Sequence, residues 1–204
     1  MQYDMHYYGT YALAAAAGIP KADAEIIATA AQYVDDQNFE RWAITSSGEG
    51  ILGVATAHHP LDAGVRALSQ WENRDDSRLV WVPFHFLPGN QGATFEQRLI
   101  TRMDSAVANT MLDFYLHPES IAAHRSHALQ LMGIAAHVYA DTFAHYGFSG
   151  ISSDHNLIME GSLDADDTHS SGILDYLSAQ ASNFKSKFTG APKLGHGAVL
   201  TYPD

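Results

Sequence analysis

Apolar residues recur at helical spacing in the first part of the chain, and turn-forming residues separate the stretches. An alanine-rich stretch over 10–17 is followed by Gly18 and Pro20, a combination that ends one helix and starts another. The spacing then predicts a second helix over 21–35. Its predicted buried stripe consists of Ala24, Ile27, Ala28, Ala31 and Val34.

The pattern changes after this helix. Over 41–57, two short apolar runs flank a Ser-Ser-Gly-Glu-Gly sequence, which predicts a short hairpin or an irregular loop. Over 58–92, prolines and glycines punctuate a stretch that also carries several aromatic side chains. A segment of this length in a compact domain is usually functional or contains regular structure that the pattern does not reveal. The stretch is therefore a candidate substrate-facing lid, and the alternative is that its aromatic side chains pack in the core.

Helical patterning returns in the second half of the chain. Thr94 and Gln97 form a capping-box pattern at the start of a helix predicted over 94–116. The His-Pro-Glu sequence over 117–119 interrupts it, and the longest predicted helix follows over 119–146, ended by Gly147. One further helix is predicted over 172–188.

These elements predict an all-α fold: a compact multi-helix domain with a long irregular or short hairpin insertion. The chain has 204 residues, of which 46% are hydrophobic and 17% charged. This length and composition are typical of one folded domain, so a single domain over 1–204 is expected.

Charge and composition narrow the classes of partner. A net charge of −12 argues against nucleic acid as a stable partner, because phosphate backbones are bound by basic surfaces. The chain has no apolar run long enough to span a bilayer and begins without a signal-peptide pattern, so a cytoplasmic location is expected. The absence of cysteine excludes disulfides, iron–sulfur clusters and thiolate zinc sites.

Histidine is the unusual component, because 12 histidines outnumber the 11 lysines and arginines combined. The strongest local pattern is His137-x-x-x-Asp141-x-x-x-His145. Helical positions four apart lie about 40° from one another around the axis, so the three side chains form one ribbon. Two adjacent ions bound along this ribbon could share Asp141 as a bridge.

An alternative interpretation is an exposed polar face stabilised by i,i+4 pairing. The residues around this ribbon are strongly apolar, however, and polar groups there are costly unless they bind something. We therefore expect the ribbon to be buried and to bind divalent metal, with zinc first and iron or manganese next.

One helix cannot complete a coordination sphere, so other residues are needed. The further candidate ligands are His6, Asp35, Asp36, His58, His59, His85, His196 and Asp204. Adjacent helical positions differ by about 100°, so either Asp35 or Asp36 faces inward. Which of His58 and His59 faces inward is also left undecided by the sequence. Asp141 and Asp36 are the candidate catalytic carboxylates.

Several sequence blocks in a fixed order resemble an uncharacterised microbial family of unknown function. The blocks are DMHYYGT at 4–10, AAQYVDD at 30–36, PFHFLP at 83–88, HYGFSG at 145–150, GHG at 195–197 and YPD at 202–204. More distantly, the arrangement is similar to the zinc-dependent phospholipase C and S1/P1 nuclease superfamily. That resemblance implies an all-α fold with a three-zinc cluster that cleaves phosphate esters.

The ligand order of that superfamily is matched step by step. In order, the matching residues are His6, Asp35 or Asp36, His85, His137 with Asp141, and His145. The last His-x-x-x-acid pair of the superfamily has no counterpart, because Leu200 stands four places after His196. His196 and Asp204 are the candidates to replace it, and the alternative is that the third metal is absent, so the expected site is di- or trinuclear.

The leading functional hypothesis is a metal-dependent hydrolase that uses a metal-activated water on a small-molecule substrate, most plausibly a phosphate ester. The first alternative is a non-haem iron or di-iron oxygen-activating enzyme, because histidines and carboxylates on facing helices also build such sites. The second alternative is a non-catalytic metal-binding protein with a closed coordination sphere. Sequence patterns do not indicate the oligomeric state.

Overall fold

The computed structural model describes residues 3–38, 41–57 and 77–157, and most of these residues are helical. The α-helices are α1 (Thr10–Ala16), α2 (Lys21–Asp36), α3 (Phe95–Leu99), α4 (Ala106–Leu116), α5 (Pro118–Ala123) and α6 (Ala128–Ala144). Two π-helices occur, πA (Asp4–Gly9) and πB (Ser77–His85). The described part of the chain is therefore consistent with the predicted all-α class.

Helix α2 follows the predicted pattern closely. Gly18, with φ of +82°, ends the first helical stretch, and Pro20 precedes the first residue of α2. The whole predicted stripe is buried: Ala24, Ile27, Ala28, Ala31 and Val34. The predicted hairpin is also confirmed, since β1 (Arg41–Ile44) and β2 (Gly50–Gly53) pair antiparallel around a turn that contains Gly48, at φ of +85°.

The helix predicted over 94–116 is wrong as a single element. Its capping box is present, because the Thr94 hydroxyl accepts from the Gln97 amide and the Gln97 side chain accepts from the Thr94 amide. The chain leaves the helix at Ile100, whose carbonyl accepts from another segment, and Ser105 then caps α4. Residues 100–105 therefore do not continue the helix. The main chain at Ile100 pairs with another segment, and Ser105 starts a new helix as its N-cap.

The helix predicted over 119–146 is also divided. It splits into α5 and α6 around the sequence His-Arg-Ser-His at 124–127. These four residues are all polar, so a helical turn there would bury no apolar side chain. Gly147, with φ of +86°, follows the end of α6 as predicted.

The segment expected to be irregular over 58–92 contains a nine-residue π-helix, πB, which includes Pro83. The main-chain bond from Phe86 N to Trp81 O, at 2.8 Å, spans five residues and is the π-helical pattern. The alternative that the segment contains regular structure therefore applies to Ser77–His85. No sequence signal separates this rare helix type from a loop. Residues 58–76, and the helix predicted over 172–188, lie outside the described residues.

Helices α2 and α6 form the central packed pair, and πA, α1, α4 and πB contact it. The close approach depends on Gly133, where an added Cβ would lie 2.3 Å from the carbonyl oxygen of Ile27. As a result, πA, α2, πB and α6 converge on one buried region. No helix in the described ranges is both long and apolar enough to cross a membrane.

Candidate metal centre

Four elements each bring a histidine or aspartate to this region. The set, called here the His/Asp cluster, consists of His6 on πA, Asp35 on α2, His85 on πB, and His137 and Asp141 on α6. The side chains of His6, His137 and Asp141 are fully buried, and that of His85 is 5% exposed. Asp35 is the most accessible member, with 23% of its side chain exposed.

Asp141 is at the centre of the cluster. Its Oδ2 lies 3.1 Å from His85 Nδ1 and 3.3 Å from His137 Nε2. Its other oxygen, Oδ1, lies 3.2 Å from His6 Nε2. One carboxylate therefore faces three imidazoles that come from three different elements.

Asp35 faces the same three imidazoles from α2. Its Oδ2 lies 3.6 Å from His6 Nε2. Its Oδ1 lies 3.7 Å from His85 Nδ1 and 3.9 Å from His137 Nε2. The two carboxylates thus close the cluster from opposite helices.

The spacing of the donor atoms fits metal coordination. Nitrogen and oxygen ligands about 2.1 Å from an ion lie about 3.0 Å apart at neighbouring corners of an octahedron and about 3.4 Å apart in a tetrahedron. The nitrogen-to-oxygen distances in the cluster run from 3.1 to 3.9 Å. Within the described ranges, two three-residue groups satisfy ligand spacing, namely His6, His137 and Asp141, and Asp35, His85 and His137.

Main-chain carbonyls fix the tautomers of two of the histidines. His137 Nδ1 lies 2.8 Å from the carbonyl oxygen of Ala31, and His85 Nε2 lies 2.8 Å from that of Thr56. A carbonyl oxygen only accepts, so these nitrogens carry the hydrogen and donate it. The opposite nitrogens, His137 Nε2 and His85 Nδ1, therefore direct lone pairs toward the cluster, as metal-binding histidines do.

The buried surroundings of His6 also favour a bound ligand. Neither of its ring nitrogens makes an aligned hydrogen bond within the part of the chain that the structure describes, although the ring is fully buried. An imidazole in this situation is unfavourable unless a further group binds it. A cation beside Nε2 would satisfy it.

The electrostatics favour a buried negative charge. Burial raises the pKa of the Asp141 carboxyl, but the imidazoles of His145 and His137 lower it by more, and the net pKa is well below its ordinary value. Burial lowers the pKa of His85, but Asp141, Asp35 and the Thr56 carbonyl together raise it above its ordinary value. The lowered pKa of Asp141 favours its ionised form in a region closed to solvent, where protonated imidazoles or a bound cation balance the negative charge.

Other sequence-predicted residues have different places. Asp36 is exposed and its Oδ1 accepts from Gln32 Nε2 at 3.2 Å, so it lies outside the cluster. Asp35 is the member of the pair that faces inward, as expected for neighbours about 100° apart on a helix. His145 is buried at the edge, with Nδ1 3.7 Å from Asp141 Oδ2, and belongs to neither ligand group. His58, His59, His196 and Asp204 lie outside the described residues.

Sequence reasoning missed the supporting groups. The carbonyls of Ala31 and Thr56 orient two imidazoles, but a main-chain carbonyl leaves no signal in a sequence. The two π-helices that carry His6 and His85 were missed as well. A histidine near proline and aromatic residues was the only available signal for πB.

The whole chain, residues 1–204, matches a protein family described as "Family of unknown function (DUF6765)", and it belongs to that family. No curated protein and no solved structure matches the chain. The similarity to the phospholipase C and S1/P1 nuclease superfamily therefore stays a prediction based on residue order.

Proposed function

We propose that this member of a family of unknown function is a metal-dependent hydrolase, with the His/Asp cluster as its metal centre and a phosphate ester as its substrate class. The observation that carries the proposal is the meeting of lone pairs around Asp141. His85 Nδ1 and His137 Nε2, whose partner nitrogens are committed to carbonyls, lie 3.4 Å apart and both face the ionised carboxylate. Such an arrangement is repulsive unless a proton or a metal ion lies among these atoms, and a divalent ion would satisfy both nitrogens and the carboxylate at once.

Ring geometry supports two ion positions. The imidazoles of His6 and His137 stack with centroids 3.8 Å apart and only 23° between their planes. An imidazole binds an ion along its nitrogen lone pair, close to its own plane. An ion shared by two nearly parallel rings at this spacing would lie well outside both ring planes. His6 and His137 are therefore assigned to different ions, although their spacing alone would allow one shared ion.

The carboxylates fit the role of bridges between these positions. Position 1 is defined by His85 and His137, and position 2 by His6. Asp141 directs Oδ2 to position 1 and Oδ1 to position 2. Asp35 also directs one oxygen to each position, Oδ1 to position 1 and Oδ2 to position 2. Paired ions about 3.5–4 Å apart with shared carboxylates are common in enzymes that hydrolyse phosphate esters.

Charge supports an anionic substrate. Two divalent ions bring four positive charges and the two carboxylates two negative ones, so the occupied cluster carries about +2 with neutral histidines. This local charge is opposite to the net charge of −12 of the whole chain. The exposed edge of Asp35 is the side from which a substrate can approach.

The chemistry follows from this arrangement. Divalent ions supply Lewis acidity, which makes water more acidic and offsets the charge that develops on a phosphoryl group. The residues of the chain hold the ions in place, keep the histidines in one tautomer and exclude bulk water from the α6 side. No cysteine nucleophile is present in the chain, and none is needed. The residue order His6, Asp35, His85, His137 and Asp141 is similar to that of the phospholipase C and S1/P1 nuclease superfamily, which supports the same substrate class.

A di-iron oxygen-activating enzyme is the second candidate, because two carboxylates that each face three imidazoles also suit a di-iron centre. Protein purified without added metal separates the two. Iron together with oxygen consumption supports this candidate, whereas zinc or manganese without oxygen consumption supports hydrolysis.

The test uses neighbouring aspartates as a matched pair. Purified protein loaded with Zn²⁺ or Mn²⁺ is assayed on aryl phosphate monoesters and diesters. Asp35→Asn is expected to lower the rate by at least about 100-fold, because a ligand to both ions is weakened. Asp36→Asn removes an equal charge outside the cluster and is expected to change it little. Metal-loaded protein that hydrolyses none of these esters, or equal effects of the two substitutions, would contradict the proposal.

A further inference from the structure

His145 completes the sequence ribbon with His137 and Asp141, yet its contacts differ from theirs. It follows the last residue of α6, and its main-chain N–H donates to the Asp141 carbonyl at 2.9 Å. Its side chain is 5% exposed. A buried imidazole one helical turn beyond a proposed bridging ligand requires its own explanation.

The side chain of His145 contacts the main chain of πB. Its Nδ1 lies 2.6 Å from the carbonyl oxygen of His85, and its ring stacks on Phe86 with centroids 4.4 Å apart and 19° between the planes. Because the carbonyl only accepts, Nδ1 carries the hydrogen. This nitrogen, although 3.7 Å from Asp141 Oδ2, therefore cannot be a metal ligand. Neither ring nitrogen of His145 joins a group of three donor atoms with ligand spacing among the described residues.

The contacted carbonyl has a specific position in πB. His85 is the last residue of that helix, and carbonyls at a helix C-terminus lack partners within the helix. The His145 imidazole supplies a donor to one of them. The same bond ties the end of α6 to the residue whose imidazole faces Asp141.

Two bonds therefore hold His85 from different sides. The Thr56 carbonyl orients the imidazole through Nε2, and His145 fixes the main chain through the carbonyl. Together they leave His85 Nδ1 3.1 Å from Asp141 Oδ2. Removing either bond frees a rotation that moves Nδ1 away from the ion position.

We infer that His145 is a positioning residue of the metal centre and not one of its ligands: it holds the main chain of His85 so that His85 Nδ1 can bind. This inference rests on the proposed metal centre. It differs from the assignment that residue order suggests, in which His145 would bind an ion of its own.

The experiment uses Co²⁺ as the probe, since its visible absorption reports the ligand set. Asparagine carries its amide nitrogen on Cγ, as histidine carries Nδ1, so His145→Asn retains a donor toward the His85 carbonyl. His145→Ala retains none. His85→Ala serves as the variant that lacks a true ligand, and His127→Ala as the surface histidine control.

His145→Ala is expected to weaken Co²⁺ binding by about 10–100-fold, as is typical for groups that orient a ligand, without changing the number of ions bound at saturation. His145→Asn is expected to restore most of that affinity and to show the absorption spectrum of the unmodified protein. The His85→Ala spectrum is expected to differ from both.

Three results would overturn the inference. One is the loss of a bound ion at saturation in His145→Asn, which would make His145 a ligand. Another is equal weakening in the alanine and asparagine variants, and the third is unchanged affinity in His145→Ala. If the unmodified protein itself binds no Co²⁺, the proposed metal centre fails instead. The asparagine variant keeps the test informative should His145→Ala not fold.

Discussion

At the scale of single residues, the account depends on how each imidazole is held. His85 and His137 each use one nitrogen to donate to a carbonyl, and this leaves the other for an ion. His6 makes no aligned hydrogen bond among the described residues, and its Nε2 lies 3.2 Å from Asp141 Oδ1, so an ion bound there would satisfy the ring. The differences among these three rings lead to separate predictions.

His6→Ala is expected to lower the number of bound divalent ions from two to one per chain. The reason is that His6 is the histidine assigned to position 2, whereas position 1 keeps His85, His137 and both carboxylates. Metal content after dialysis measures this directly. His127→Ala, on the surface, should leave it unchanged. Retention of two ions in His6→Ala would show that the division into two positions is wrong.

Metal affinity is expected to fall as the pH is lowered, beginning at a higher pH than for an ordinary histidine. Protons compete with the ion for His85 Nδ1, and although burial lowers the pKa of His85, Asp141 and Asp35 raise it by more. Zn²⁺ competition titrations from about pH 8 to about pH 5 measure the fall. An affinity that stays constant until well below the ordinary pKa of histidine would contradict the assigned role of His85.

At the scale of elements, the site requires α2 and α6 to lie unusually close. The Ala31 carbonyl of α2 can reach His137 of α6 only because Gly133, one turn earlier on α6, has no side chain. Small residues on both helices therefore serve the site as well as the core. Any increase in the helix separation moves Asp35 away from His137 at the same time.

Gly133→Ala is expected to destabilise the fold by about 1–3 kcal/mol and to weaken metal binding, because the added Cβ would lie 2.3 Å from the Ile27 carbonyl oxygen. Chemical denaturation and metal titration measure the two effects. Gly50→Ala is the control, since a Cβ there meets Trp42 at an ordinary 3.8 Å. If Gly133→Ala behaves like Gly50→Ala in both measurements, the close approach is not required.

The elements also show which structural features could be predicted from the sequence. Periodicity predicted the buried face of α2, and the i,i+4 spacing predicted that His137 and Asp141 share a face of α6. Both patterns are local, so they can be read without knowledge of the fold. The break at Ile100 depends on main-chain pairing with a distant segment. Neither this break, nor the one at 124–127, nor the π-helical form of πB was predicted.

The cluster itself could be predicted only as a list of candidates. His6, Asp35, His85, His137 and Asp141 were all among them, but so was Asp36, which is exposed. The choice between Asp35 and Asp36 needs the rotation of α2 against α6, which is set by packing. The inferred positioning role of His145 could not be predicted for a related reason, because the His85 carbonyl that it contacts belongs to another element.

At the scale of the whole molecule, the buried carboxylate links metal binding to folding. Asp141 is fully buried and ionised, and Asp35 adds a second negative charge beside it. Ions that bind only the folded chain stabilise it, by about 4 kcal/mol when their concentration is about 1,000 times the Kd. The metal centre is therefore expected to act as a structural connection among πA, α2, πB and α6.

Removal of metal by a chelator is expected to lower the Tm of the protein, and addition of Zn²⁺ is expected to restore it. Scanning calorimetry before and after chelation measures the change. In Asp141→Asn the chelator should have a much smaller effect, because the bridging charge is absent. If the chelator does not change the Tm of the unmodified protein, metal binding at the cluster does not stabilise the fold.

The central claim is that the His/Asp cluster binds divalent metal. Elemental analysis of protein purified without added metal tests it most directly, with His137→Ala and Asp141→Ala prepared in parallel. We expect about two divalent ions per chain in the unmodified protein, because two positions share the bridging carboxylates. We expect a clear loss in both variants. The account would be contradicted if the unmodified protein contained no metal and bound none when metal was added. It would also be contradicted if the two variants kept their full metal content.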